Sequence, residues 1–184
     1  MRLDRRRRPI ILALALALAA TLSVLSVVAL TRPGTGTPTE PTQIAKDQPA
    51  PPITGATLDG ASFDLATLRG RPVIVNFWGP QCVPCRDEFP LFKTKLTEHA
   101  ADGLAVVGIL TDNGPDPART FVAEEGATWP TVIDPGGALK RSYRVLGLPQ
   151  SYFIDRNGIL RSIQIGEVRD ADFERQFGLI SGGS

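Results

Sequence analysis

The chain has 184 residues, of which 42% are apolar and 21% are charged, so it fits one globular domain with appendages. Its formal net charge is +1, and acidic residues outnumber basic ones beyond residue 50. Without a basic face, the composition excludes a nucleic-acid-binding protein. The chain has two cysteines, which are too few for a disulfide-stapled scaffold. The pair is therefore expected to be reactive rather than structural.

An uncharged apolar run occupies residues 10–30 and follows the basic cluster Arg5–Arg8. As a helix this run would be roughly 31 Å long, about the thickness of the hydrocarbon core of a bilayer. Basic residues stay on the cytoplasmic side, so we predict a transmembrane signal-anchor with residues 1–9 in the cytoplasm. The alternative is a cleaved signal peptide, with Ala17–Ala19 as the cleavage site. Both alternatives place the folded part of the chain outside the cytoplasm.

Residues 31–52 are rich in proline and threonine and show no hydrophobic period. Such a segment cannot bury a core, so it is predicted to be an extended spacer. At ~3.1 Å per residue the spacer could reach roughly 70 Å. We therefore expect the folded domain to occupy residues 53–184.

Beyond the spacer, short apolar runs alternate with segments of helical character. The elements expected in chain order are a hairpin over 58–65, a helical turn over 65–70, a strand over 72–78, a helix over 83–100, a strand over 104–110, a helix over 117–125, a strand over 131–134, a short helix over 139–143, strands over 151–155 and 158–165, and a helix over 170–180. Strands that alternate with helices and end in an antiparallel hairpin predict an α/β fold, in which a central mixed β-sheet is flanked by helices.

Several side chains of the expected helices have predictable positions. Asp116 and Asp170 are expected to cap the N-termini of two helices. Phe173 and Phe177 are spaced to share one face of the last helix. His99, near the end of the long helix, is expected to be a solvated surface residue.

The two cysteines, Cys82 and Cys85, lie where the strand over 72–78 gives way to the long helix. Free N–H groups and the positive dipole end of a helix stabilise an anion, so Cys82 is expected to be the attacking thiolate. Cys85 lies one turn further along, where it can attack Cys82 in a mixed disulfide and release the reduced substrate. Pro84 suits the first turn because it has no N–H to satisfy there.

Other interpretations of the C-x-x-C spacing remain open at this point. It could be half of a zinc site, but zinc needs four ligands and the chain offers two cysteines and one histidine. It could also be a buried structural pair. Its position between a buried strand and a helix favours a redox pair, which requires neither a metal nor a cofactor.

The segment over 75–90 contains V-N-F-W and C-V-P-C-R-D-E-F-P and resembles the active-site segment of the TlpA/ResA/CcmG (DsbE) family. The likeness continues through W-P-T-V-I-D at 129–134 and G-L-P-Q-S-Y-F-I-D-R-N-G at 147–158, and it spans about residues 53–180. The resemblance implies a thioredoxin-like fold with an N-terminal hairpin and an inserted strand and helix over 104–125. It also implies a membrane-anchored thiol–disulfide oxidoreductase.

The resemblance further implies roles for individual residues. Pro149 would be a cis-proline facing the disulfide, and the backbone of Leu148 would pair with the substrate chain. Glu88 would be a buried acid that exchanges a proton with Cys85. The alternative for Glu88 is a carboxylate on the helix surface.

Trp78 and Gln81 complete the implied substrate-binding set, although Trp78 also fits a core aromatic beside the site. Many relatives carry a tryptophan directly before the first cysteine, where this chain has Gln81. This difference is expected to alter the redox potential of the cysteine pair or the surface on which partners dock. Asn76 stands where cytoplasmic thioredoxins carry a buried acid, which implies a different proton relay.

These features predict an exported enzyme that reduces disulfides in partner proteins. By resemblance, the substrate would be an apocytochrome c, and a transmembrane thiol electron donor would reduce the enzyme again. The same chemistry run backwards would make the chain an oxidase. A peroxidase of peroxiredoxin type is a further alternative, although Gly79 stands where such enzymes need threonine. A copper chaperone is another, although no histidine follows His99.

Overall fold

The computed structural model describes residues 44–111 and 114–182, all of which belong to one compact unit. Within these two ranges, no helix is long and apolar enough to cross a bilayer. The expected signal-anchor at residues 10–30 and the first part of the expected spacer lie outside the described residues.

Apart from β1, which lies in the expected spacer, the secondary structure of the described residues follows the expected order of elements, with the first strand of the hairpin beginning at Thr54 rather than at residue 58. The strands are β1 (Gln48–Pro49), β2 (Thr54–Ala56), β3 (Ser62–Asp64), β4 (Val73–Trp78), β5 (Ala105–Leu110), β6 (Thr131–Ile133), β7 (Gln150–Ile154) and β8 (Ile159–Ile165). The helices are α1 (Val83–Glu98), α2 (Pro115–Glu125), α3 (Ala138–Ser142) and α4 (Asp170–Ser181), with a 3-10 turn at Leu65–Leu68.

The central sheet has six strands in the order β1-β8-β7-β4-β5-β6. β4 runs parallel to β5, and β5 runs parallel to β6. β7 runs antiparallel to both β4 and β8. β2 and β3 form a separate hairpin. The architecture confirms the expected α/β class with a central mixed sheet, an N-terminal hairpin and an inserted strand and helix.

Strand β4 is buried along its whole length because its side chains enter two different cores. Ile74 and Trp78 belong to one apolar cluster, and Val73, Val75 and Phe77 belong to the other. Alternate side chains of a strand point to opposite faces of the sheet, so β4 is covered on both sides. A strand enclosed in this way provides a fixed base for the loop that follows it.

Aromatic rings hold α1 and α2 on one face of the sheet. The ring centroid of Phe89 lies 4.8 Å from that of Trp78, 4.8 Å from that of Phe121 and 5.0 Å from that of Trp129. All four side chains are buried. Aromatic pairs in such tilted and edge-to-face arrangements add about 0.5–1.5 kcal/mol each beyond the burial of area. The helix that carries the cysteines is therefore firmly packed against the sheet.

Two helices begin differently from the sequence expectation. α2 begins at Pro115, because proline suits the first turn of a helix. Asp116 then lies inside that turn and pairs with Arg119 at 2.7 Å instead of capping. α4 includes Asp170, and Arg169 occupies the cap position. Both expected caps are therefore wrong by one or two residues.

The folded unit begins before the expected boundary at residue 53. β1 pairs with β8, with Gln48 opposite Leu160. The Tyr143 hydroxyl donates a hydrogen bond of 2.7 Å to the carbonyl of Pro51. These contacts use the backbone of the N-terminal segment, so its side-chain composition gave no sign of them. The end of the expected spacer is therefore part of the domain.

His99 is not the solvated residue that the sequence suggested. Its side chain is 18% exposed, and its ring centroid lies 4.0 Å from that of Phe177. Its Nδ1 atom lies 3.1 Å from the Asp102 carboxylate. Phe173 and Phe177 share the buried face of α4, as expected, and His99 packs against that face.

Gly108 in β5 occupies a point where the sheet leaves no room for a side chain. A Cβ atom there would lie 2.7 Å from Thr131 Oγ1 and 2.8 Å from Trp78 Nε1. We predict that Gly108→Ala lowers the free energy of unfolding by about 1–3 kcal/mol, because packed atoms must move apart. Urea denaturation of both proteins measures this difference.

Gly178→Ala is the matched control for this prediction. Gly178 is exposed on α4, and an added Cβ would meet nothing within 4 Å. Alanine is favoured over glycine inside a helix by about 0.5–1 kcal/mol, so this change should raise the free energy of unfolding. A destabilisation of equal size in both variants would contradict the packing described for β5.

Candidate active site

The two cysteines lie at the junction between β4 and α1. Cys82 is the N-cap residue of α1, with extended backbone angles. Its carbonyl accepts hydrogen bonds from the N–H groups of Cys85 at 3.0 Å and Arg86 at 3.2 Å. Pro84 lies in the first turn, where its missing N–H costs nothing. The helix therefore begins immediately after Cys82, which occupies its N-cap position.

Cys82 and Cys85 form a disulfide, with Cα atoms 5.2 Å apart. Cys82 is partly exposed, whereas Cys85 is 0% exposed. A partner sulfur can therefore reach Cys82 but not Cys85. This asymmetry suits an exchange in which the outer sulfur meets the partner and the inner sulfur closes the internal disulfide.

The start of α1 favours negative charge on Cys82. The free N–H groups and the positive end of the helix dipole lie at the N-cap position. In the first turn of α1, all of which is described, there is no acidic side chain to oppose this effect. When the disulfide is reduced, the thiolate form of Cys82 is stabilised relative to an unstructured cysteine.

Glu88 is a fully buried carboxyl group on the same helix as the cysteines. Asn76 Nδ2 donates a hydrogen bond of 2.6 Å to Glu88 Oε1, and the N–H of Val168 donates one of 3.1 Å to Oε2. Burial raises the pKa of Glu88 from 4.5 to about 8, and the two hydrogen bonds oppose that rise in part. The alternative of a surface carboxylate is therefore wrong.

The position of Glu88 suits proton exchange with the inner cysteine. It lies three residues after Cys85, so the two side chains share a face of α1. A carboxyl group with a pKa near the operating pH can both accept and donate a proton. Its surroundings also include Ser151, whose hydroxyl accepts a hydrogen bond of 3.0 Å from Asn76 Nδ2. Among the described residues, Asn76 Oδ1 has no hydrogen-bond partner.

The segment before β7 lies beside the end of β4. The Leu148–Pro149 peptide bond is cis. Gln150, the next residue, pairs with Phe77 of β4, so Pro149 lies next to the point where the cysteine loop leaves the sheet. The carbonyl of Pro149 accepts a hydrogen bond from Gly166 at 2.9 Å. Leu148 is half-buried between the two apolar clusters.

The two remaining residues of the expected substrate set have different surroundings. Trp78 is 0% exposed and packs against Phe89 and Phe121. The expectation that its side chain lines the substrate surface is therefore wrong, because it is a core aromatic. Gln81 is exposed directly before Cys82, where a docked partner can contact it.

The structure adds residues that the sequence analysis did not find. Ser151 and Val168 complete the polar contacts around Glu88, and they come from β7 and from the loop after β8. The guanidinium of Arg86 lies 4.4 Å from the centre of the Phe121 ring and donates to the carbonyl of Pro80 at 3.3 Å. No local sequence motif indicates the contacts around Glu88 or the contact between Arg86 and Phe121, because they join segments distant in the chain.

A second group of ionisable side chains lies away from the disulfide. Glu98, His99 and Glu174 have ligand atoms within 4.8 Å of one another. The buried ammonium of Lys95 already contacts this group, at 2.8 Å from Glu98 and 2.5 Å from Glu174. A metal ion would have to displace that cation, so the cluster is best described as an ion-pair network.

Comparison with known proteins agrees with this geometry. The family model of the AhpC/TSA family matches residues 47–163. Thioredoxin-like protein YneN of Bacillus subtilis is 32% identical over 139 residues, which cover 74% of this chain and 81% of that protein. Thiol-disulfide oxidoreductase ResA of Geobacillus kaustophilus is 31% identical over 137 residues, which cover 74% of this chain and 79% of that protein.

A solved structure is similar in the same way. A Chlorobium tepidum protein described as a thiol:disulfide interchange protein DsbE superposes with a TM-score of 0.70 and 32% identity, covering 76% of this chain and 99% of that one. The mixed sheet therefore has a counterpart of known fold. The chain belongs to the AhpC/TSA family, and it is a thiol–disulfide oxidoreductase of the ResA and DsbE type with a thioredoxin-like fold.

Proposed function

We propose that the chain reduces disulfides in partner proteins on the outer side of a membrane. The observation that carries this proposal is the unequal exposure of the two sulfurs, with Cys82 accessible and Cys85 enclosed. An enzyme that accepts a large disulfide partner needs one reachable sulfur and one protected sulfur to resolve the complex. The names of its relatives, which describe thiol–disulfide exchange, support the same chemistry.

The reaction proceeds in two balanced exchanges. The Cys82 thiolate attacks a sulfur of the partner disulfide, and the partner's other sulfur leaves as a thiolate that takes a proton from solvent. The Cys85 thiol then gives its proton to the Glu88 carboxylate and attacks Cys82. The second partner sulfur leaves as a thiolate and is protonated. Two electrons have passed to the partner, and the Cys82–Cys85 disulfide is formed.

The partners follow from the resemblance and from this chemistry. We propose an apocytochrome c as the protein substrate, because its haem-attachment cysteines must be reduced before haem is joined to them. A transmembrane thiol electron donor would return the pair to the dithiol state. Reduction by such a donor needs the same access to Cys82, so both partners would use one face of the enzyme.

We also propose that residues 10–30 anchor the enzyme in the membrane, with residues 1–9 in the cytoplasm and the catalytic domain outside. The run of apolar residues after Arg5–Arg8 supports this arrangement. Mass analysis of the membrane fraction is expected to find residues 10–30 still attached. A mature N-terminus between Ala20 and Pro33 would instead mean a cleaved signal peptide and a released enzyme.

Thiol variants test the proposed reaction. Cys85→Ser should accumulate mixed disulfides with a disulfide-containing peptide, because the resolving sulfur is missing, whereas Cys82→Ser should not. Non-reducing gel electrophoresis of the two full-length variants measures this difference. Mixed disulfides formed mainly by Cys82→Ser would reverse the roles assigned to the two sulfurs.

The reduction potential of the wild-type pair tests the direction of the reaction. A value near ~−270 mV, similar to that of thioredoxin, is expected of a reductase. A value near ~−120 mV would identify an oxidase working through the same site. Equilibration with glutathione buffers of known potential provides the measurement.

The raised pKa of Glu88 predicts how stability depends on pH. The folded-state pKa of about 8 lies above the ordinary value of 4.5, so the folded state binds more protons between these values. The free energy of unfolding should therefore fall as the pH rises through this window, by at most about 1.4 kcal/mol per pH unit from this group. Glu88→Gln should remove that contribution, as measured by urea denaturation at several pH values.

The same variant tests the catalytic role of Glu88. We expect peptide disulfide reduction by Glu88→Gln to slow by roughly 100-fold near neutral pH, because an amide cannot relay the proton of Cys85. Glu124→Gln, which changes an exposed glutamate of α2, is the matched control and should retain the wild-type rate and pH dependence. A wild-type rate in Glu88→Gln would show that Glu88 takes no part in the proton relay.

A further inference from the structure

Residues 146–148, between α3 and β7, present the surface beside the disulfide, yet they bury little of their own surface. Leu146 is 57% exposed, Gly147 is exposed, and Leu148 is half-buried. Pro149 is buried at the end of the segment, next to the junction that bears the cysteines. A stretch with so little buried surface needs other contacts to keep one conformation.

Gln150 supplies such a contact from the first position of β7. Its side chain is 0% exposed. Its Oε1 atom accepts a hydrogen bond of 2.9 Å from the N–H of Leu146, which closes the segment into a loop. Its Nε2 atom donates a hydrogen bond of 2.6 Å to the hydroxyl of Tyr152. The amide therefore joins the exposed loop to the core of the sheet.

The chain of hydrogen bonds continues beyond Tyr152. The Tyr152 hydroxyl donates to the carbonyl of Tyr143 at 2.6 Å, just before the loop begins. The loop is thus held at both ends by one buried polar network. Burying an amide is costly unless its hydrogen bonds are made, and an apolar residue would satisfy the packing of β7 more simply. The position of Gln150 indicates a requirement other than core packing.

We propose that Gln150 is a positioning residue for protein substrates, which holds the loop over 146–149 in the shape that a partner chain docks against. This inference rests on the proposed function. A partner polypeptide extends past the attacked sulfur and contacts the loop, with Leu146 and Leu148 as apolar contacts. A small disulfide touches Cys82 alone and does not need the loop in place. Gln150 therefore acts on the binding of large substrates and not on the sulfur chemistry.

Gln150→Leu tests this role in the full-length enzyme. Two substrates are compared, a peptide with an internal disulfide and the small disulfide 5,5′-dithiobis(2-nitrobenzoate). We expect KM for the peptide to rise about five-fold, which is ~1 kcal/mol at 1.4 kcal/mol per tenfold, with kcat nearly unchanged. The rate with the small disulfide and the reduction potential of the Cys82–Cys85 pair should remain at wild-type values.

Gln176→Leu is the matched control, since it removes a similarly buried glutamine. Gln176 lies on α4 and is 3% exposed. It forms hydrogen bonds with Ser162 and Gln164 of β8 and contacts no residue of the loop through them. Gln176→Leu should leave the reduction of both substrates at the wild-type rate. Tyr152→Phe keeps the ring but removes the hydroxyl that anchors Gln150, and it should raise KM for the peptide in the same selective way. This second variant maintains the test if Gln150→Leu folds poorly.

The outcomes separate this inference from the proposed function. If the wild-type enzyme reduces neither substrate, the proposed function itself is wrong. If the wild-type enzyme is active, a folded Gln150→Leu protein with unchanged KM for the peptide would overturn the role of Gln150. Equal losses with both substrates, or an equal loss in Gln176→Leu, would also overturn it by showing a general loss of structure.

Discussion

The enclosure of β4 between two apolar cores is the constraint on which the site depends. Because side chains on both faces of this strand are buried, its end cannot shift without disturbing both cores. The cysteine loop leaves from that end, and Phe89 fixes the following helix against Trp78. The N-terminus of α1 is therefore held at the edge of the sheet, where its dipole acts on Cys82.

The buried carboxyl of Glu88 shows a conflict between stability and chemistry. A carboxyl group without exposure is most stable when neutral, yet two donors, Asn76 and the N–H of Val168, point at its oxygens. Burial raises its pKa and the donors lower it. The balance leaves a group that can change protonation near neutral pH, one helical turn from Cys85, whose thiol we propose loses a proton during turnover.

The fold and the position of the cysteine pair were predictable because their signals are local. A run of apolar residues indicated β4, and the turn residues Asn157 and Gly158 between two apolar runs indicated the hairpin of β7 and β8. The caps of α2 and α4 were misplaced because neighbouring residues compete for the cap position over one or two residues. The boundary at residue 53 was misplaced because β1 pairs through its backbone, and backbone pairing leaves little trace in composition.

The site was predictable in part. Cys82 and Cys85 follow from their spacing, while Ser151, Val168 and the amide of Gln150 have no motif. His99 differs from the expectation of an exposed position because helix α4 covers it, whereas Trp78 is the core aromatic that its sequence position also allowed. Their burial depends on how distant elements pack together.

The sequence by itself determined the order of elements, the class of fold and the identity of the reactive pair, because periodicity, turn residues and spacing act over a few neighbouring positions. The tertiary structure alone decided how completely Cys85 is enclosed, which groups surround Glu88 and what holds the loop before β7. Each of these depends on contacts between segments far apart in the chain. Burial and hydrogen bonding at such contacts follow from the packing of the whole domain, and no local pattern encodes them.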